Sequence, residues 1–277
     1  MSDNARAGVD PAITEFYERA PEETRLQFGA GPLEEARTRE LIERHIPKAP
    51  ADVVDVGGGA GVYAFWLAER GYRVQLFDAS PRLIGEAKRR NEKSRHRLVA
   101  CSVGDARNIP ADDESVSVVL MLGPLYHLVD ADDRLIALRE AERVLQRDGV
   151  LFAAAISRWA SALDGLAREL FADPRFGDIV ARDIREGQHR NQTERLDFFT
   201  TAYFHRPDDL SHEVASAGLA VENLYGIEGP AWMLPDFTER WQNPERRAMM
   251  LNVARMLERE PFVTGCSAHL LVVGRKR

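Results

Sequence analysis

Short apolar runs and stretches of helical spacing alternate along most of this chain. Val53-Val54-Asp55-Val56 is an apolar run holding one acid. It breaks into Gly57-Gly58-Gly59-Ala60-Gly61 before an amphipathic stretch begins at Val62. That order predicts a buried strand, a tight turn and a helix from Tyr63 to about Arg70, which Gly71 ends. Tyr72 to Phe77 predicts a second strand finishing on Asp78, Val99 to Val103 a third, Ser115 to Leu122 a fourth and Val150 to Ser157 a fifth. Upstream, Pro11 precedes Ile13, Phe16 and Tyr17, an apolar face at i, i+3, i+4. Pro32 opens a second helix that Pro47 closes. The link between these helices, residues 20–31, is glycine-rich and is expected to be mobile.

Past the fifth strand the pattern loosens. Ser157 to Phe171 predicts a helix that Asp173-Pro174-Arg175 breaks, followed by a polar stretch near 186–192 and an aromatic cluster from Phe198 to His205. A helix from Pro207 to Ala217 and a strand from Leu219 to Tyr225 come next. A second insertion then carries Trp232, Trp241, Met249, Met250 and Met256 on helices between Pro235 and Glu258, and His269 to Val273 predicts the last strand. The divisions are a helical cover over 1–48, a core over 49–156, an insertion over 157–206, and a C-terminal part over 207–277 with its own helical insertion at about 228–265.

The glycine turn carries the first chemistry. Gly57, Gly59 and Gly61 allow positive φ and a close ligand approach, and the helix N-terminus beyond them suits a carboxylate or phosphate. Asp78 ends the second strand about 20 residues later, where an acid accepts the ribose hydroxyls of an adenosine, with Ala79 beside it. Dinucleotide enzymes share this device, but their G-x-G-x-x-G fits poorly. From Gly57 the sixth position is Val62, and from Gly59 it is Ala64.

Asp55 and the three alternate glycines instead resemble the hhDhGxGxG motif of class I S-adenosylmethionine (SAM) methyltransferases. Gly104-Asp105-Ala106 is similar to that family's turn after the third strand, where the acid meets the adenine amino group. The fourth strand, ending at Leu122, corresponds to the one beside the transferable methyl. Glu140 to Leu151 resembles its helix, turn and fifth strand, with Arg147-Asp148-Gly149 in place of Pro-Gly-Gly. These motifs cover roughly residues 52–156 in order. The loop Leu122-Gly123-Pro124-Leu125-Tyr126-His127-Leu128 resembles that of a large bacterial subgroup, and lacks the Asn-Pro-Pro-Tyr or Asp-Pro-Pro-Tyr signature of amino-group methylation on DNA and protein.

The resemblance implies an α/β, doubly wound, mainly parallel seven-stranded Rossmann-like sheet with an antiparallel last strand and helical lid insertions. It also implies SAM as cofactor and S-adenosyl-L-homocysteine as product. The cofactor residues expected are Asp55, Gly57, Gly59, Gly61, Asp78, Ala79, Gly104, Asp105, Ala106 and Leu122. Two come from the N-terminal cover: Tyr17 over the sulfonium, or simply packing its helix, and Arg25 on a carboxylate, or simply solvated. His127 is the candidate base, or a local shaper of the pocket, and Tyr126 orients a nucleophile or walls the site. His205 is a further catalytic candidate, ranked above His189 and His269.

Composition narrows the partners. With 277 residues, 44% of them hydrophobic, the chain can bury a large core, and a net charge of −7 argues against a broadly basic nucleic-acid surface. Cys101 and Cys266 are too few for a disulfide framework, and no stretch could span a bilayer, so a cytoplasmic monomer or homodimer is expected. No residue spacing suggests a metal site. The reaction expected is SN2 methyl transfer to an O, N or C atom of a small-molecule acceptor. The alternatives are a tRNA wobble-uridine carboxylate methyltransferase and a non-catalytic SAM-binding regulator; an NAD-dependent enzyme is disfavoured.

Overall fold

A computed structural model of the chain describes residues 11–19 and 22–277. Residues 1–10, 20 and 21 of the expected N-terminal cover and link lie outside them. In chain order the elements are α1 (Pro11–Arg19), α2 (Gly31–His45), β1 (Asp52–Val56), α3 (Val62–Glu69), β2 (Arg73–Asp78), α4 (Pro81–Lys93), β3 (Ala100–Val103), β4 (Val116–Met121), α5 (Pro124–His127), α6 (Ala131–Val144) and β5 (Leu145–Ser157). There follow α7 (Ala160–Ala167), α8 (Pro174–Glu186), β6 (Gln188–His189), β7 (Ala202–His205), α9 (Pro207–Ser216), β8 (Ala220–Gly226), α10 (Phe237–Gln242), α11 (Pro244–Leu257) and β9 (His269–Arg275).

The central strands are apolar on both sides because both sheet faces are covered. One face packs α2, α3 and α4 on residues such as Val53, Leu76 and Leu120. The other packs α6 and α9 on Val54, Val119 and Leu151. β3, β2, β1, β4 and β5 run parallel in that order, and β9 lies antiparallel between β5 and β8. These are the seven strands expected. The insertion adds two short ones. β7 pairs in parallel with the last residues of β5, Ile156 and Ser157, and β6 pairs with β7, so the sheet has nine strands. β5 uses the edge it gives to β4 only through Ala153, which places β7 just beyond the carboxyl end of β4.

Two local expectations need correction. The turn at Arg147-Asp148-Gly149 is a bulge inside β5. Leu145 already pairs with Val116 and Val150 with Val118, and Asp148 takes φ 62° between them. Asp173-Pro174-Arg175 does end the preceding helical stretch, but it also starts α8, which was not expected there, because the Asp173 side chain accepts from the Arg175 amide as an N-cap and Pro174 sits in the first turn. Among the described residues no helix is long and apolar enough to cross a membrane.

Candidate functional site

The glycine turn links the end of β1 to α3 at the carboxyl end of the sheet. Gly57 N–H donates to the Phe77 carbonyl at 2.7 Å, tying the turn to β2, and Gly57, Gly59 and Gly61 all take positive φ. A Cβ on Gly57 would stand 2.5 Å from Pro124 Cγ, so α5 packs directly on this backbone. Gly61 caps α3 against Phe65 and does not line the cavity; its part is to shape the turn.

Asp78 sits where β2 ends. Its two oxygens accept from Gly59 N–H and Ser80 N–H, each at 2.8 Å, and burial raises its carboxyl above the usual range. Each carboxylate oxygen keeps a further lone pair for a ligand hydroxyl. Asp55 lies beneath the turn, about 1% exposed, and neither of its oxygens has a hydrogen-bond partner of good geometry among the described residues. Burial first, then the Asp78 carboxylate, pushes it up to about 7.

A cavity of about 850 Å³ opens over these groups. Thirteen of the fifteen expected site residues line it: Tyr17, Arg25, Asp55, Gly57, Gly59, Asp78, Ala79, Gly104, Asp105, Ala106, Leu122, Tyr126 and His127. Asp105 is held by Arg107, which donates to it from Nη2 at 2.6 Å and reaches Asp133 from Nη1 at 2.9 Å. Arg25 forms a two-pronged pair with Glu34 at 2.7 and 2.8 Å.

His127 closes the far side. Its Nε2 lies 2.6 Å from the Tyr17 hydroxyl and its Nδ1 3.5 Å from the Thr201 carbonyl. An Nδ1–H tautomer satisfies both contacts, with Tyr17 donating to Nε2. Burial drives the imidazole down to about 4, so it is neutral near pH 7. The rings of Tyr126 and Phe199 border it at 4.6 and 6.0 Å.

Three histidines raised by the sequence sit elsewhere. His205 is fully buried off the cavity, with Nε2 3.1 Å from Glu213, which also holds the buried Arg134, so it has no access to a ligand there. His189 is buried against Asp183 and the Phe198 carbonyl. His269 bonds Glu228 at 2.6 Å and lies 3.8 Å from Glu34. Burial alone would lower the His269 imidazole, but the two carboxylates hold it above its ordinary value. Glu34, Glu228 and His269 form a cluster that spacing along the chain could not show, since their donor atoms converge from α2, the β8 end and β9 within 4.8 Å. Arg25, Ser267 and the His269 amide already engage the carboxylates, so the cluster reads as an internal ion network.

Sequence reasoning missed Arg82, Arg107 and Arg190 on the cavity wall. Arg107 left a signal in its Asp-x-Arg spacing from Asp105. Arg190 left none, because only the folding of the insertion brings it there.

The turn, the paired amides on Asp78 and the orphaned Asp55 carboxylate fit an adenosyl amino acid: hydroxyls for one acid and an ammonium for the other. A methyltransferase domain family model matches residues 54–153. An uncharacterized methyltransferase of Mycobacterium tuberculosis is 29% identical over 213 residues, 74% of this chain and 80% of its own. Malonyl-[acyl-carrier protein] O-methyltransferase of Geobacter sulfurreducens is 33% identical over 172 residues, covering 61% of this chain and 55% of its own. Among solved structures, a SAM-dependent methyltransferase from Mesorhizobium loti aligns with a TM-score of 0.59 at 16% identity, over 88% of this chain and all of that one. The protein is a SAM-dependent methyltransferase with an α/β Rossmann-like fold, and S-adenosyl-L-methionine is its cofactor.

Proposed function

We propose that this enzyme methylates an O, N or C atom of a small molecule enclosed by the N-terminal segment and the first insertion acting as a lid. The second insertion, also expected in the lid, packs on Leu33 of α2, and none of its described residues is on the cavity wall. The observation that carries the reading is the continuity of the cavity. It runs from the glycine turn and Asp78, past Leu122, to Tyr126 and His127, and its wall includes Ile13, Tyr17 and Leu26 from the N-terminal segment and Arg190 from the first insertion. Closure of those segments over bound cofactor and acceptor would hold the two together and exclude water.

Bound SAM supplies an electrophilic methyl group on a sulfonium. The chain's own residues bind and orient. Asp78 takes the ribose hydroxyls, Asp105 the adenine amino group and Asp55 the ammonium of the amino-acid half. His127 presents a neutral Nε2 that Tyr17 now fills. An acceptor hydroxyl or amine taking the place of Tyr17 would be aligned by the same nitrogen. An imidazole drawn to about 4 is a weak proton sink, so its work is orientation more than full deprotonation.

Calorimetric titration with SAM, S-adenosyl-L-homocysteine and NAD comes first, followed by acceptor screening with labelled SAM. Binding of both sulfur ligands and methylation of a small acceptor would support the reading. Methylation of tRNA alone, or SAM binding with no turnover on any extract, would replace it with one of the two alternatives.

A further inference from the structure

Four arginines line the cavity, and three are paired with carboxylates: Arg25 with Glu34, Arg82 with Glu86, and Arg107 with Asp105 and Asp133. Arg190 differs. Its Nη2 donates to the neutral Oε1 of Gln188 at 2.8 Å, and it forms no ion pair among the described residues. A half-buried guanidinium with one neutral acceptor keeps most of its five donors for something else.

The position of Arg190 is built, not incidental. It follows β6 directly, and β6 is locked on β7, which is locked on β5. Its neighbour His189 is pinned by Asp183 at 2.9 Å and the Phe198 carbonyl at 2.7 Å, and stacks on Phe204. A cation is thus carried on sheet-anchored backbone at the wall of the cavity. It also belongs to the insertion, whereas the glycine turn, Asp78 and Asp105 belong to the core sheet, so an anion held there leaves the cofactor residues untouched.

We propose that Arg190 is the anchor for a carboxylate on the acceptor, so that the substrate class is a small carboxylic acid; this rests on the methyl-transfer reading above. The planar fork matches a carboxylate with two parallel hydrogen bonds. A monoanion suits the site better than a phosphate, because Asp78, Asp105, Asp130 and Asp133 already make the cavity wall acidic. The carboxylate is the handle, and the atom methylated is the one aligned at His127.

The test titrates protein saturated with S-adenosyl-L-homocysteine with two matched pairs, benzoate against benzamide and hexanoate against hexanamide, by calorimetry. The wild type is expected to prefer the acid of at least one pair by roughly tenfold, the scale of a charged hydrogen bond. Arg190→Gln is expected to erase that preference, Arg190→Lys to keep part of it, and both to hold S-adenosyl-L-homocysteine affinity and melting temperature near wild type. Equal binding of acid and amide, no binding of either, or a preference that survives Arg190→Gln would overturn the assignment. Failure of the wild type to bind S-adenosyl-L-homocysteine would strike the methyl-transfer reading itself, and this proposal with it.

Discussion

The Tyr17 hydroxyl donates to His127 Nε2 across 2.6 Å, joining α1 to α5 at the wall of the cavity. The rings meet edge to face at 5.2 Å, so Tyr17 both covers His127 and fills its one free acceptor. An acceptor molecule must displace that hydroxyl to use the nitrogen.

His127→Ala should therefore lower turnover by roughly 10²-fold, the low end for a positioned proton acceptor, while SAM affinity holds. Tyr17→Phe keeps the ring and frees Nε2, and is expected to change turnover far less. Release of S-adenosyl-L-homocysteine under saturating SAM measures both. Full activity in His127→Ala would remove His127 from the reaction.

The same histidine makes a stability prediction. Its folded-state value near 4 lies below the ordinary 6.5, and burial is the cause. Between those values the unfolded chain binds more protons than the folded one at this residue, so the contribution of His127 to stability falls as pH drops from 6.5 toward 4. Melting curves from pH 4.5 to 7.5 should show a shallower decline for His127→Gln than for wild type. Parallel curves would mean that the imidazole is not desolvated as described.

The sheet was legible because its strands are buried on both faces, which leaves apolar runs such as Val116 to Met121 with acids and glycines only at their ends. Asp78 and the glycine turn were legible for the same reason: they are where such runs stop. The insertion was not. Asp173-Pro174 shows in sequence as the end of one helical stretch but not as the start of the next, which the Asp173 cap makes it, and β7 carries no period of its own over four residues. His205 ends β7 on the sheet-proximal side of the insertion, the place for which it was expected to face the pocket. Its fate was decided by Glu213 on α9, eight residues on, and by the Arg134 that shares that carboxylate.

Two glycines of the turn should separate folding from binding. Gly57 has φ 69° and no room, since Pro124 Cγ and Cδ would stand 2.5 and 2.7 Å from an added Cβ. Gly57→Ala is expected to cost about 3 kcal/mol in urea unfolding, combining left-handed strain with overpacking against a proline ring. Gly59 has φ 57°, and an added Cβ meets only Leu83 Cδ1 at 3.7 Å. Gly59→Ala should cost about 1 kcal/mol in stability. Its methyl group borders the cavity, so SAM affinity should fall by roughly tenfold. Equal stability losses in the two variants would contradict the packing of α5 on the turn.

Asp55 supplies a pH dependence of opposite sign. Burial, reinforced by Asp78, raises it to about 7 against 3.8 in the unfolded chain, so across that window the folded protein binds the extra proton and the contribution of Asp55 to stability declines as pH rises. An ammonium brought beside the carboxylate favours its ionised form and lowers its value, and cofactor binding then expels the proton. SAM should consequently bind more tightly at pH 8 than at pH 6, by up to about tenfold for a one-unit drop in the acid's value. Asp55→Asn should flatten both the affinity profile and the stability decline toward pH 8, because its side chain has no proton to lose. Calorimetry in buffers of different ionisation enthalpy counts the protons released on binding. A wild type that releases none near pH 7, or an Asp55→Asn variant with an unchanged affinity profile, would take Asp55 away from the ammonium.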